Sequence, residues 1–216
     1  YKNYRGYEIY SMPPPSSGGV HIIQILNMLE SLPKETGDQG TVGRIHRLTE
    51  VMKRAYADRS EYLGDPDFYP VPVEKLTSHA YAIKRISDYD SSIASLSGMI
   101  RPGNIEVPYE SPQTTHFSIV DKWGNAVSNT YTLNTSFGSC HMAEDTGILL
   151  NNEMDDFSAK PGVPNAYGLV GGEANAIEPQ KRMLSSMSPT VVLKDDKVFL
   201  ITGSPGGSTI ITTVLQ

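Results

Sequence analysis

The sequence has a single cysteine, Cys140, so no internal disulfide can form, and a small residue in a Gly/Ser-flanked loop is the simplest role for it. No apolar run approaches the length of a bilayer span. Basic residues are scarce, 18 against 24 acidic ones, and they form no block or stripe. With a net charge of -6 and a pI of about 5.3, this argues against nucleic acid or an anionic membrane as the main partner. Internal repeats, low-complexity tracts and a signal peptide are also missing. The chain starts at Tyr1 rather than Met and stops in an apolar stretch at Gln216, so we expect a piece of a longer protein. What is there, 216 residues, suffices to bury a sizeable core as one large domain or two small ones.

Periodicity divides the chain into a helical half and a strand-rich half. Residues 4–12 read as one strand, stopped by Pro13-Pro14-Pro15, and Ser16 or Ser17 is then the expected cap of a helix buried on most sides. Thr41 is placed to cap a second helix, with Ile45, Leu48, Met52 and Ala55 on its core face. Arg44, Arg47, Lys53 and Arg54 are expected on its solvated face. A third helix is expected over 78–86, with His79 at the surface, and 88–113 reads as a mobile linker rich in Ser, Pro and Gly. Strands then flank Lys122-Trp123-Gly124-Asn125. A three-residue loop with Gly124 left-handed sets Thr114 opposite Thr132, whereas a two-residue Gly124-Asn125 loop sets it opposite Thr135; we prefer the first. A short strand is expected at 147–150, a long Pro/Gly loop over 161–180, and a second hairpin around Asp195-Asp196. Gly203-Ser204-Pro205-Gly206-Gly207-Ser208 precedes a helix beginning at Thr209.

Three constellations could carry chemistry. The Gly-rich turn can present backbone N–H groups to an anion, either a phosphate or the oxyanion of a tetrahedral intermediate, but the usual phosphate-loop lysine is missing. Asn151, Asn152, Glu153, Asp155 and Asp156 suit an ammonium group better than calcium, because the central Gly and final Glu of a calcium loop are absent. Ser185, Ser186 and Ser188 could hydrogen-bond a carboxylate, or simply form a Ser-rich turn. Thr114 begins a Thr-rich strand. If the bond before it were cut, its α-amine, with a reference pKa of about 7.7–8.0, would lie beside its own hydroxyl as a built-in base. His116, on the same strand face, is a competing base, and His21, His46 and His141 show no metal-like spacing.

The blocks Tyr10–Gly19, Gln113–Ser118, Thr130–Asn134, Leu150–Ser158, Leu184–Pro189 and Gly203–Ser208 together resemble the γ-glutamyltransferase (glutathione hydrolase) family, bacterial type, in the same order over nearly the whole chain. The resemblance implies an α+β fold, the N-terminal nucleophile hydrolase αββα four-layer sandwich, of which this chain is a part. It implies self-cleavage between Gln113 and Thr114, so that 1–113 ends a large subunit and 114–216 begins a small one. Thr114 is then the nucleophile, Thr132 its support, and Gly206 and Gly207 the oxyanion hole. Asn134, Glu153 and Asp156 hold the α-amino side of a γ-glutamyl group, Ser185 and Ser186 its α-carboxylate, and Tyr167 resembles a lid gate. Glu153 stands where many bacterial relatives have Gln, which implies an altered affinity. The family's carboxylate-binding arginine falls upstream of Tyr1, and further strands follow Gln216. No cofactor or metal is implied. The implied partners are glutathione and other γ-glutamyl compounds, amino acid or dipeptide acceptors, and the remaining segments of the same precursor, with no nucleic acid. The implied location is the periplasm or the cell exterior. Two other readings compete: a phosphate- or nucleotide-binding module using 203–208, and a non-catalytic fragment.

Overall fold

The computed structural model describes residues 1–33, 41–101, 114–163 and 171–216. The opening segment is a hairpin rather than one strand, with β1 at Lys2–Tyr4 and β2 at Tyr7–Ser11. Arg5 and Gly6 both have positive φ, 53° and 84°, which is the geometry of a two-residue turn whose twist matches that of the paired strands. The turn was hidden because Tyr4 and Tyr7 both suit a strand and Gly6 alone is weak punctuation.

Helix α1 (Gly18–Ser31) is buried on most sides, as its apolar pattern requires. Ile25 and Met28 pack with Val51, Ala55, Ala82 and Ile86, while Val20 meets Leu63, Leu76 and Leu184. A third face places Ile22 and Leu26 against Ile211, with Tyr4 and Ile9 of the strands. Ser17 does not cap this helix through its side chain. Its hydroxyl donates instead to the Ser185 carbonyl at 2.9 Å, so a tertiary contact displaces the local one.

Helix α2 (Val42–Tyr62) starts as expected, with Thr41 accepting from the Arg44 amide. Its faces differ from the expectation. Ile45 is 58% exposed, whereas Arg54 is 0% exposed. Arg54 donates to Glu50 at 2.7 Å and to Asp88 at 2.8 Å, and such pairing is what allows a guanidinium to be buried. Ser95 accepts from Arg54 at 3.2 Å and its amide donates to Glu50 at 3.1 Å. Residues 88–101 are therefore tied to α2 rather than forming a loose linker; 102–113 lie outside the described residues. A short α3 (Val73–Leu76) precedes α4 (His79–Arg85), which Ser78 caps and on which His79 is exposed.

Strands β3 (Thr114–Val120) and β4 (Ala126–Thr132) pair with Thr114 opposite Thr132. Gly124 has φ 88°, the left-handed position the three-residue loop demands. No strand forms at 147–150; Leu149 makes only an isolated bridge to Met142, because Asp145 and Gly147 turn the chain with positive φ. Strands β5 (Thr190–Lys194) and β6 (Lys197–Thr202) turn through Asp195 and Asp196, and α5 (Ile210–Leu215) closes the described chain. The larger sheet runs β1-β2-β5-β6, antiparallel throughout, and β3-β4 forms a second sheet. Ser128 of β4 donates to the Thr202 carbonyl, and a side chain at Gly203 would collide with the His116 ring, so β3 and β4 lie close against the end of β6.

Candidate active site

One cavity gathers residues from all parts of the chain. Thr114 lines it from the head of β3 and Thr132 from the end of β4. The Thr132 hydroxyl accepts from the Asn134 amide at 2.9 Å, which helps to orient it. Asn134 also lines the cavity, at φ 75°, a left-handed conformation that asparagine tolerates. His116 does not line it. Its ring lies between Thr130 Oγ1 at 2.8 Å and Ser118 Oγ at 3.0 Å, and burial lowers its pKa.

The serine wall is built by two segments clamped together. Ser16 donates to the Met187 carbonyl at 2.7 Å, the Ser17 amide donates to the Ser185 carbonyl at 2.8 Å, and the Ser185 amide donates to the Pro15 carbonyl at 3.0 Å. Gly18 is required here, since a Cβ would strike the Ser188 hydroxyl. Just upstream of this loop, Asp65 accepts from both the amide and the Nε of Arg182 at 2.9 Å, which holds its carboxyl well below the usual range. Ser185 and Ser186 thereby reach the cavity wall on a loop fixed at both ends.

Asp156 faces them from the 3-10 turn Glu153–Asp156. Burial pushes its pKa up to about 7; Arg59 opposes the shift, while Glu153 and Asp155 add to it. Burial also raises Glu153, which opens the same turn but does not line the cavity. Asn175 holds the turn by donating to the Asp156 carbonyl at 2.7 Å and accepting from the Leu184 amide at 2.9 Å.

At the remaining edge, Gly206 and Gly207 have φ of 130° and 52° and lead through a 3-10 turn into α5. Tyr56 of α2 donates to the Ser208 carbonyl and so fixes this turn to the helical layer. Gly207 and Ser208 line the cavity; Gly206 stands immediately beside them.

Of the residues singled out in the sequence, the cavity thus joins Thr114, Thr132, Asn134, Asp156, Ser185, Ser186 and Gly207. Gln113 and Tyr167 lie outside the described residues. Pattern reading missed Arg59 and Asn175. A signal for Arg59 exists, because it falls four residues after Ala55 in the core stripe of α2, where a charge needs a reason. Three other histidines contact backbone: His21 has carbonyls at both ring nitrogens and burial pushes it down to about 4, His46 meets the Asp90 carbonyl, and His141 that of Ser139. No group of three or more His, Cys, Asp and Glu able to hold a metal occurs among the described residues.

The whole chain superposes on the cephalosporin acylase of Bacillus halodurans with a TM-score of 0.75, at 26% identity and covering 35% of that structure. Its mixed helical and sheet architecture is that of the N-terminal nucleophile hydrolases, of which these residues form part. Residues 1–216 match the family model described as Gamma-glutamyltranspeptidase, and the chain belongs to that family. The "Glutathione hydrolase proenzyme" of Escherichia coli (strain K12) is 63% identical over 214 residues, covering 99% of this chain and 37% of that protein. The protein of the same description from Bacillus subtilis (strain 168) is 39% identical over 227 residues, covering 99% and 37% respectively. The "Acylase ACY 1 proenzyme" of Pseudomonas sp. (strain SE83) is 39% identical over 219 residues, covering 99% and 36%. The chain therefore spans little more than a third of the length of these relatives.

Proposed function

We propose that the protein carrying this chain is a self-processing γ-glutamyl acyl-transfer enzyme. The observation that carries the reading is the convergence on one cavity of a threonine at a strand head, a supporting hydroxyl, a left-handed glycine turn, a serine pair and a carboxylate. Self-cleavage between Gln113 and Thr114 would divide the chain, with 1–113 ending one subunit and 114–216 opening the other. The freed α-amine is the general base for the Thr114 hydroxyl, which attacks the γ-amide carbonyl of a donor such as glutathione.

Each remaining group has a role that follows from its chemistry. Thr132 supports Thr114 by hydrogen bonding. The amides of Gly206 and Gly207 stabilise the oxyanion, an interaction worth about 2.7–4 kcal/mol per donor. Asn134, Glu153 and Asp156 receive the donor's α-ammonium group, and Ser185 and Ser186 its α-carboxylate; the resemblance gives Tyr167 the part of a lid gate. The leaving amine takes a proton from the Thr114 ammonium. Water, an amino acid or a dipeptide then resolves the γ-glutamyl ester. The remaining segments of the precursor complete the site, and work in the periplasm or outside the cell suits this substrate class. No described helix is long and apolar enough to cross a membrane.

The test is Thr114→Ala in the complete precursor, followed by intact mass and by release of the chromophore from a γ-glutamyl anilide. Both processing and turnover are expected to vanish. Continued splitting at residue 113 with undiminished turnover would overturn the assignment.

A further inference from the structure

Arg59 reaches the cavity from α2 and is only 5% exposed. Its Nε donates to Ser17 Oγ at 3.1 Å and its Nη2 to Ser186 Oγ at 3.0 Å. Guanidinium has donors only, so both hydroxyls must accept from it and their own protons turn elsewhere. Ser17 gives its proton to the Ser185 carbonyl, which locks the two serine segments together. Ser186 has its proton left to offer a second acceptor.

We propose that Arg59 is a positioning residue of this site, which turns the Ser186 hydroxyl towards the carboxylate end of the donor and supplies the counter-charge for Asp156 at the ammonium end. This rests on the acyl-transfer reading and adds to it a residue that the sequence pattern did not single out. The charged groups acting on Asp156 are Arg59 from α2, and Glu153 and Asp155 from its own turn. Arg59 is the one cation among them, and the two carboxylates and burial work the other way. Without Arg59, Asp156 holds its proton to higher pH, and a neutral carboxyl is a poor partner for an ammonium group. The sign follows: affinity for the donor falls as pH drops through the Asp156 midpoint, and loss of Arg59 moves that midpoint upward. The Thr114 amine titrates in the same region, but its protonation suppresses the chemical step and so shows in kcat.

The experiment measures kcat and KM for a γ-glutamyl anilide between about pH 6 and pH 9 in the complete, processed protein. For Arg59→Met, KM at neutral pH is expected to rise roughly tenfold or more, with kcat changed much less. The midpoint of the KM profile should move to higher pH, and adding Asp156→Asn should remove that pH dependence. Arg59→Lys keeps the charge without the fork, so its midpoint should stay near the parent value while KM rises severalfold. It also serves if Arg59→Met fails to fold. An unchanged KM and midpoint in the folded variants would overturn the proposal, as would an equal loss of kcat at every pH with KM untouched. Failure of the acyl-transfer reading looks different: there Thr114→Ala keeps its activity, whatever Arg59 does.

Discussion

At the residue scale the site is a set of groups whose ordinary chemistry is altered by placement. Thr132 accepts from the Asn134 amide, so one lone pair of its hydroxyl is committed to the backbone. Asp156 lies between burial and two carboxylates on one side and Arg59 on the other, and it titrates near neutrality in consequence. Gly207, at φ 52°, holds a left-handed conformation that strains any L side chain. A left-handed alanine costs about 1–2 kcal/mol, and relief of that strain would tilt the neighbouring amides. If those amides face the oxyanion, Gly207→Ala should lower kcat by about a hundredfold or more while KM changes little. Separate determination of the two constants checks this; a change confined to KM would remove the turn from the chemical step.

At the element scale, α2 organises more of the molecule than its sequence suggests. Its buried carboxylates, Glu50 and Asp58, hold α4 and the 88–101 segment through Arg54 and Arg85. Its Tyr56 fixes the glycine turn and its Arg59 the serine loop. Replacing one member of a buried pair leaves the other uncompensated, at a cost of about 3–5 kcal/mol. Arg54→Met should therefore lower the denaturant midpoint substantially. Adding Glu50→Leu should recover part of the loss, because both charges are then gone. A double variant as unstable as the sum of the singles would show that the pair is not the source. The β3-β4 hairpin was readable because its loop carries glycine where positive φ is needed, and that register decides which residue faces Thr114. The faces of α2 were not, since an arginine looks the same in a sequence whether it meets water or a buried carboxylate.

At the scale of the whole molecule, the larger sheet is assembled from both sides of Thr114. Strand β2 pairs with β5 through Glu8–Leu193, Ile9–Val192, Tyr10–Val191 and Ser11–Thr190. The Pro15–Ser17 segment adds hydrogen bonds to Ser185 and Met187. A cut before Thr114 severs none of these. The two products of the proposed self-cleavage should therefore co-elute in native gel filtration and separate only in denaturant. Separation under native conditions would contradict the shared sheet as the bond between them.

Local chemistry was enough to determine several things from the sequence alone. Thr41 and Ser78 cap their helices, Gly124 and Asp195-Asp196 turn their hairpins, and Thr114 stands opposite Thr132. Each depends on residues within a few positions of one another, where propensity and turn geometry dominate. The motif blocks likewise made the family legible before any geometry was known. Tertiary structure alone decided that Ser17 serves a distant loop rather than its own helix. It also decided that Arg54 is buried and that Arg59 reaches the cavity. Those outcomes turn on partners up to a whole domain away in the chain, and the energy of a buried charge or hydroxyl is set by the partner it finds.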